Sequence, residues 1–308
     1  MPTSKKRCQL EREIDLLPDR LALVFVPGES LVVSSPVQTR WLATNQTRLD
    51  KYDMVGIETK LNARRSFCVT FENGELTFHF DERSLEGRVV LVAGGTGGLG
   101  SATVTLLARD GATVVAGYRQ DRERAEALKQ AVEARYKATI HLVEGDISEP
   151  AARERYLETA DAIGDGLYGM VCFTGDPARV KFEDVNDADL HDSLQKNYVA
   201  PLLLARECAT RMRKRGKEGA IVLLSTMQAV AAFESSINYA GPKTALIGAA
   251  RIMAKQWGGA REIRVNVIAP GVNRAGMALK SIESGKYDFY IDQKIIPRFC
   301  SSGCEDAA

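Results

Sequence analysis

Hydrophobic positions follow two different rhythms along the chain. In the first part, short apolar runs such as LALVFV, SLVVSS, RSFCVTF and ELTFHF are separated by turn-forming residues, among them Pro27-Gly28 and Asn73-Gly74. An Asn-Gly pair between two such runs is a strong β-hairpin signal. The pattern therefore predicts a small, mainly β domain over residues 1–83.

Beyond this domain, strand-like apolar runs alternate with amphipathic stretches. The six runs are RVVLVAG, ATVVAGYR, TIHLVEGD, LYGMVCFTG, GAIVLLST and IRVNVIAPG. Between the second and third, Ala125, Leu128 and Val132 recur at helical spacing. Such alternation is typical of βαβ units and a parallel sheet covered on both faces. Residues 84–308 are thus predicted to form an α/β domain with a doubly wound, Rossmann-type parallel sheet.

Composition narrows the function classes. With 41 basic and 40 acidic residues, the chain has no overall field to attract nucleic acid. Six scattered cysteines without a Cys-x-x-Cys pair, and only three histidines, argue against a zinc site and favour free thiols in a reducing cytoplasm. No apolar run approaches the roughly 20 residues that span a bilayer. We expect a soluble cytoplasmic protein without a metal, a membrane span or a signal peptide.

A glycine-rich segment, AGGTGGLG, follows the first strand of the α/β domain. Glycine permits the sharp turn from strand to helix and lets the backbone approach a pyrophosphate, whose charge the helix N-terminus stabilises. Because the segment opens a βαβ unit, it predicts a dinucleotide site. The predicted contacts are Gly94, Thr96, Gly97, Gly98, Leu99 and Gly100.

The end of the second strand bears on the choice of cofactor. An acidic residue there would bind the ribose hydroxyls of NAD, but the strand ends in Tyr118 and Arg119. An arginine can form a charge-assisted contact with a phosphate, so NADP is favoured over NAD. In the alternative interpretation, Arg119 belongs with Arg122 and Arg124 to a solvated, charged helix start.

The glycine loop, Tyr239-x-x-x-Lys243 and RVNVIAPGV occur in this order. In this combination, residues 84–308 resemble the short-chain dehydrogenase/reductase family, most closely its 3-oxoacyl-carrier-protein reductase-like members. The resemblance implies hydride transfer between NADP(H) and a carbonyl or secondary alcohol, with a 3-oxoacyl thioester as one candidate substrate. It also implies that Tyr239 and Lys243 are catalytic and contact the cofactor.

Further positions match family motifs that follow the third, fourth and sixth strands. Together with Thr174, a predicted cofactor contact whose residue type differs from the family's, they are Asp146, Ile147, Gly175, Pro270, Gly271 and Val272. The resemblance places the first two beside the adenine and the last three beside the nicotinamide. It also matches Asn197 to a helix asparagine that supports a proton-relay water.

A substrate-binding hydroxyl is expected thirteen residues before Tyr239. This position is Thr226, and Ser225 comes directly before it. Either hydroxyl can donate a hydrogen bond to a carbonyl, and the register favours Thr226.

The chemistry of the Tyr239–Lys243 pair suits a reductase. Four residues apart on one helix, the side chains share a face, so an ammonium favours the phenolate and lowers a pKa that is ordinarily near 10. Tyr239 can then protonate the carbonyl oxygen as hydride arrives. Pro242, between the two, is tolerated in a first helical turn. We therefore expect the helix to begin close to Tyr239.

Three departures from the family pattern stand out. The fourth strand ends in Cys172, Phe173 and Thr174 in place of Asn-Asn-Ala, and Ala275 replaces a threonine that contacts the cofactor phosphate. The chain ends at Ala308, where family members continue with one more helix and strand that also serve oligomerisation. Either the chain is truncated or frameshifted, which leaves the sixth strand as a sheet edge and weakens a homo-oligomer, or the N-terminal domain or another protomer covers this edge; we favour truncation.

Two further questions concern the N-terminal domain and the substrate. The β rhythm of residues 1–83 resembles bacterial pleckstrin-homology-like domains, and we hypothesise an interaction or assembly module. The pocket walls are expected from residues 273–295. The altered fourth strand, the shorter C-terminus and the added domain motivate a second hypothesis, a non-catalytic dinucleotide sensor or scaffold. A third, a protein with no cofactor, fits poorly with the glycine loop.

Overall fold

The computed structural model divides the chain into two units, Met1–Glu82 and Arg83–Ala308. It describes residues 22–25, 31–34, 68–72, 75–79, 83–178, 180–231, 233, 236–258 and 263–293. Each unit is considered by itself.

The first unit contains two antiparallel strand pairs. Their members are β1 (Ala22–Phe25) with β2 (Leu31–Ser34), and β3 (Cys68–Glu72) with β4 (Glu75–His79). Glu72 lies opposite Glu75, the register of a two-residue hairpin loop at the predicted place. The loop residues Asn73 and Gly74, and most of the region expected to be pleckstrin-homology-like, lie outside the described residues.

The second unit is built on a six-stranded parallel sheet. Its strands are β5 (Val89–Ala93), β6 (Thr113–Tyr118), β7 (Ile140–Glu144), β8 (Leu167–Cys172), β9 (Gly219–Leu224) and β10 (Ile263–Ile268). The order across the sheet is β10-β9-β8-β5-β6-β7, and every pairing is parallel. All six strands coincide with the predicted runs, so the doubly wound α/β fold is confirmed. Within the described residues, β10 pairs with β9 alone and forms one edge.

Helices lie between these strands and after the last of them. They are α1 (Gly98–Arg109), α2 (Arg122–Tyr136), α3 (Pro150–Asp161), α4 (Asp187–Leu194), α5 (Ala200–Lys214), α6 (Ile237–Trp257), α7 (Leu279–Glu283) and α8 (Asp288–Asp292). A π-helical turn, Gln195–Val199, joins α4 to α5. None of the helices described is long and apolar enough to cross a membrane.

Both faces of the sheet are buried, which explains why the strands are apolar throughout. Leu91 of β5 belongs to a core packed against α3, α5 and α6, whereas its neighbours Val90 and Val92 belong to a second core with Val104 of α1 and Val132 of α2. Successive strand side chains point to opposite faces, so β5 needs apolar residues at every position. The helices therefore cover both faces of the sheet and leave only the ends of the strands accessible.

The sheet also determines where a ligand can bind. β5 lies between β6 and β8, so the chain winds outward from β5 in two opposite directions. The loops after β5 and β8 therefore diverge and leave a crevice at the carboxyl ends of the strands.

Pro242 lies deeper in its helix than the sequence predicted. Helix α6 begins at Ile237, which places Pro242 in the second turn, and the expected first-turn position is wrong. A proline there removes the N–H that would bond to the carbonyl of Asn238. The buried Ser193 hydroxyl donates to this carbonyl instead. A partner from another helix thus compensates for the proline, which no local pattern reveals.

The central strand provides a test of the packing. Leu91→Ala should lower the free energy of unfolding by about 2–5 kcal/mol, because a fully buried leucine leaves a cavity. Denaturant unfolding of both proteins measures the difference. The matched control is Leu106→Ala on α1, where the leucine is 50% exposed and the expected change is about 0.5 kcal/mol or less. Equal losses for the two variants would contradict the assigned core.

Candidate active site

A cleft of about 720 Å³ opens at the carboxyl edge of the sheet. Most of the residues singled out from the sequence line it. These are Gly94, Thr96, Gly97, Gly98, Leu99, Gly100, Tyr118, Arg119, Asp146, Ile147, Thr174, Gly175, Ser225, Thr226, Tyr239, Lys243, Pro270, Gly271 and Val272. Asn197 is the exception and lies behind the wall of the cleft.

The glycine-rich loop turns from β5 into α1 as predicted. Gly94 has a φ of +75°, and a Cβ atom there would lie 3.3 Å from the backbone nitrogen of Thr174. Both the conformation and the close approach of the chain after β8 require glycine. The first amide groups of α1 have no partner within the helix, so they can bind an anionic group in the cleft.

The end of β6 forms a charged rim. The Arg119 guanidinium, 58% exposed, donates to Asp146 Oδ2 over 3.4 Å. Burial raises the pKa of Asp146, but hydrogen bonds from Ser148 and from Arg119 outweigh it, and the net pKa is lowered. The Tyr118 hydroxyl donates to Glu144 Oε2 over 3.2 Å. The rim therefore holds an exposed cation beside one ionised carboxylate.

Lys243 is almost completely enclosed, with 4% of its surface exposed. Its Nζ donates to the carbonyls of Thr174, over 3.3 Å, and Leu224, over 3.1 Å. Burial lowers the pKa of Lys243 to about 8. A Cβ atom on Gly175 would lie only 3.0 Å from this Nζ and 2.6 Å from Asn197 Oδ1, so glycine is required there as well.

Tyr239 lies near the predicted hydroxyl of Thr226. The pKa of Tyr239 is raised, chiefly by burial and also by the nearby Tyr287, while Thr226 opposes the rise. The predicted lowering by Lys243 is therefore wrong for this structure. The physical reason is desolvation, which disfavours the charged form of both groups. Tyr239 is a protonated phenol at neutral pH.

Ser225 and Thr226 have different partners. The Ser225 hydroxyl donates to the backbone carbonyl of Lys243 over 2.8 Å and so anchors α6. Thr226 Oγ1 accepts from the Gln228 N–H over 3.3 Å and lies near Tyr239. Thr226 is thus the hydroxyl that lies beside the phenol.

Asn197 holds the loop that follows β8. It lies within the π-helical turn and is fully buried. Its Oδ1 accepts from the Asp176 N–H over 3.1 Å, and its Nδ2 donates to the Asp176 carbonyl over 2.9 Å and to Ser193 Oγ over 3.1 Å. The amide therefore fixes the backbone next to Gly175, and the proton-relay role stays a prediction.

The unusual end of β8 forms a small polar pair. Cys172 Sγ and Thr174 Oγ1 lie 3.1 Å apart, and burial raises the pKa of the thiol. Thr174 and its neighbour Phe173 both line the cleft. A hydroxyl and a phenyl ring thus stand where the family carries alanine and asparagine.

Other residues of the cleft were not singled out from the sequence as site residues. They include Arg124, Ser148, Lys196, Met227, Gln228 and Ser236, and also Lys286 and Tyr287 of the predicted wall segment 273–295. Phe233, Val272 and Tyr287 form a separate buried apolar cluster, with Met227, Ile282 and Tyr290 packed against it. The expectation that residues 273–295 supply pocket walls pointed to part of this cluster. Gln228 follows the predicted substrate-binding Thr226 by two residues, and this closeness in sequence could have identified it as a cleft residue.

Comparisons with known proteins agree with this geometry. The profile of the family described as short chain dehydrogenase matches residues 88–285. NADPH-dependent aldehyde reductase 2, chloroplastic, of Arabidopsis thaliana is 30% identical over 61% of this chain and 72% of its own length. The 3-oxoacyl-[acyl-carrier-protein] reductase FabG of Aquifex aeolicus is 28% identical over 71% of this chain and 87% of its own.

Solved structures share the fold. A candidate NAD(P)-dependent gluconate 5-dehydrogenase of Beutenbergia cavernae, with NADP bound at low occupancy, superposes with a TM-score of 0.64. It is 25% identical and covers 72% of this chain and 87% of its own. The likeness is spread over nearly the whole of that protein.

The lowered pKa of Lys243 predicts a pH-dependent stability. Unfolded lysine keeps its proton up to pH 10.5, whereas folded Lys243 loses it above about 8, so the unfolded state binds more protons in between. Stability of the wild type relative to Lys243→Met should therefore rise by about 3 kcal/mol from pH 7 to pH 10.5. Urea unfolding across this range measures it. Lys255→Met, exposed on the same helix, should show no such rise, and a flat difference for Lys243→Met would contradict the buried cation.

Proposed function

The chain belongs to the short chain dehydrogenase family, and we propose that it transfers hydride between NADP(H) and a carbonyl compound or the corresponding secondary alcohol. One observation carries the proposal. Tyr239, Thr226 and the buried Lys243 line the same cleft as the glycine loop. A proton donor, a carbonyl-binding hydroxyl and a dinucleotide site are thereby within one crevice.

The residues have complementary roles in a reduction. The nicotinamide supplies hydride to the substrate carbon when it is bound. The Thr226 hydroxyl donates a hydrogen bond to the carbonyl oxygen and orients it. Tyr239, kept protonated by burial, donates its proton to that oxygen as negative charge develops. Lys243, one turn further along α6, holds the backbone of the cleft in place through the carbonyls of Thr174 and Leu224.

The rim residues favour NADP over NAD. β6 ends without a carboxylate, and the exposed Arg119 follows directly, at the position where the fold binds the 2′-substituent of the ribose. Its contact with Asp146 is long, at 3.4 Å, so the guanidinium can turn to a phosphate. Arg124 also lines the cleft and adds positive charge. The name of the Arabidopsis relative and the ligand of the Beutenbergia structure support the same choice.

The substrate class and the cellular compartment are inferred from other features of the chain. The apolar cluster around Phe233 and Tyr287 suits an organic carbonyl compound, and the Aquifex relative makes a 3-oxoacyl thioester one candidate. Cys172 and Cys208 are free and buried, which suits a reducing cytoplasm. No described feature favours the non-catalytic sensor, because the proton donor and its partners all line the cleft. A homo-oligomer stays a prediction.

The role of Tyr239 can be tested by removing one oxygen atom. Tyr239→Phe should lower kcat for NADPH-dependent carbonyl reduction by about 10²–10⁴-fold, because the general acid is lost. The Kd for NADPH, measured by fluorescence titration, should change little. Tyr136→Phe, a tyrosine of α2 outside the cleft, is the control and should keep full activity. Full turnover by Tyr239→Phe would exclude it as the acid.

The cofactor preference depends on Arg119. Arg119→Ala should raise the Kd for NADPH about 10- to 100-fold and leave that for NADH within about twofold, because only NADPH carries the 2′-phosphate. Arg122→Ala removes a nearby cation that pairs with Glu126 and does not line the cleft, so it should change neither constant much. Parallel losses for both cofactors in Arg119→Ala would contradict the assignment.

A further inference from the structure

One polar atom in the cleft has no partner in the part of the chain that the structure describes. The Gln228 side-chain oxygen, Oε1, is buried and accepts no hydrogen bond. Two other buried side-chain oxygens among the described residues, Asp161 Oδ1 and Asn238 Oδ1, accept no hydrogen bond, although Asp161 Oδ1 lies 3.3 Å from Arg215 Nη1; neither residue lines the cleft. A buried acceptor without a donor is unfavourable, so the oxygen of Gln228 is poised for a donor from a ligand.

Gln228 is held firmly beside the proposed reacting groups. It lies in the short turn Met227–Ala229 directly after β9. Its own N–H donates to Thr226 Oγ1 over 3.3 Å, and the N–H of Ala229 donates to the Thr226 carbonyl over 3.0 Å. The N–H of Met227 donates to the carbonyl of Pro270 over 3.0 Å, which ties the turn to the end of β10. The side chain thus starts at a fixed point next to the carbonyl-binding hydroxyl.

The surroundings identify the kind of donor. Met227, Val272 and Tyr287 line the cleft and belong to one apolar cluster. Among the described lining residues the only carboxylate is Asp146, and it is bonded to Ser148 and Arg119. A cationic donor would therefore lack a counter-charge. A hydroxyl group is neutral and small, and it can both donate to Oε1 and accept from the amide nitrogen of the same side chain.

We infer that Gln228 is a specificity-determining residue and that the substrates are hydroxy ketones or hydroxy aldehydes, with the hydroxyl close to the reacting carbonyl. In the reverse direction they are the corresponding diols. The substrate class rests on the proposed function. Gln228 binds the hydroxyl while Thr226 and Tyr239 bind the carbonyl oxygen, so two anchors orient the carbon to be reduced. Hydride adds to the carbonyl carbon, the proton of Tyr239 adds to its oxygen, and the neighbouring hydroxyl is unchanged.

Matched pairs of ketones test this assignment in the full chain with NADPH. Hydroxyacetone is compared with butan-2-one, and 3-hydroxybutan-2-one with 3-methylbutan-2-one, so that a methyl group replaces the hydroxyl in each pair. The wild type should prefer the hydroxy ketone about tenfold or more in kcat/KM, because its hydroxyl satisfies a buried acceptor. Gln228→Met, of similar length without the acceptor, should reduce the preference to about twofold or less.

Two further variants complete the experiment. Gln228→Glu retains an acceptor oxygen and should retain a preference for the hydroxy ketones, and Gln228→Leu replaces the methionine variant if that protein does not fold. Val230→Thr is the control. Val230 lies just after the turn and is 81% exposed, so this variant should behave as the wild type. Turnover without a preference in the wild type, or a preference that survives in Gln228→Met, would overturn the inference alone. No turnover of any ketone, nor oxidation of the matching alcohols, would overturn the proposed function together with it.

Discussion

A buried ammonium group fastens the ends of two neighbouring strands together. Lys243 donates to the carbonyl of Leu224, the last residue of β9, and to that of Thr174, just beyond β8. These carbonyls lie where sheet pairing stops, and a buried carbonyl needs a donor. The lysine fits only because Gly175 has no side chain, which also admits the amide of Asn197. The floor of the cleft is therefore a set of backbone groups held by two enclosed side chains.

The same burial determines the charge state of the site. Desolvation raises the pKa of Tyr239 and lowers that of Lys243, so each is shifted towards its neutral form. Burial therefore opposes formation of the phenolate, whereas Lys243, with a pKa of about 8, still carries its proton at neutral pH. A protonated phenol is the state from which a carbonyl can be reduced. The exposed Arg119 lies at the end of a different strand, β6, beside Asp146.

Sequence patterns predicted the features that depend on residues close together in the chain. The six apolar runs gave the strands, and the spacing of Tyr239 and Lys243 gave two side chains that line one cleft. These patterns could not predict the features that depend on residues brought together only by folding. The pKa of Tyr239 follows from burial, and the tolerance of Pro242 follows from Ser193 on another helix. The free oxygen of Gln228 is visible only once the surrounding atoms are placed.

The compensation at Pro242 also connects positions that are far apart in the chain. Ser193 donates to the Asn238 carbonyl that the proline leaves free, and it accepts from the Asn197 amide that holds the backbone at Asp176. Loss of the serine alone would leave a buried carbonyl unpaired, whereas a non-proline residue at 242 could supply the missing helix bond itself. Evolution can therefore exchange these two residues more easily together than singly. Within this fold, positions 193 and 242 are expected to covary although neither lines the cleft.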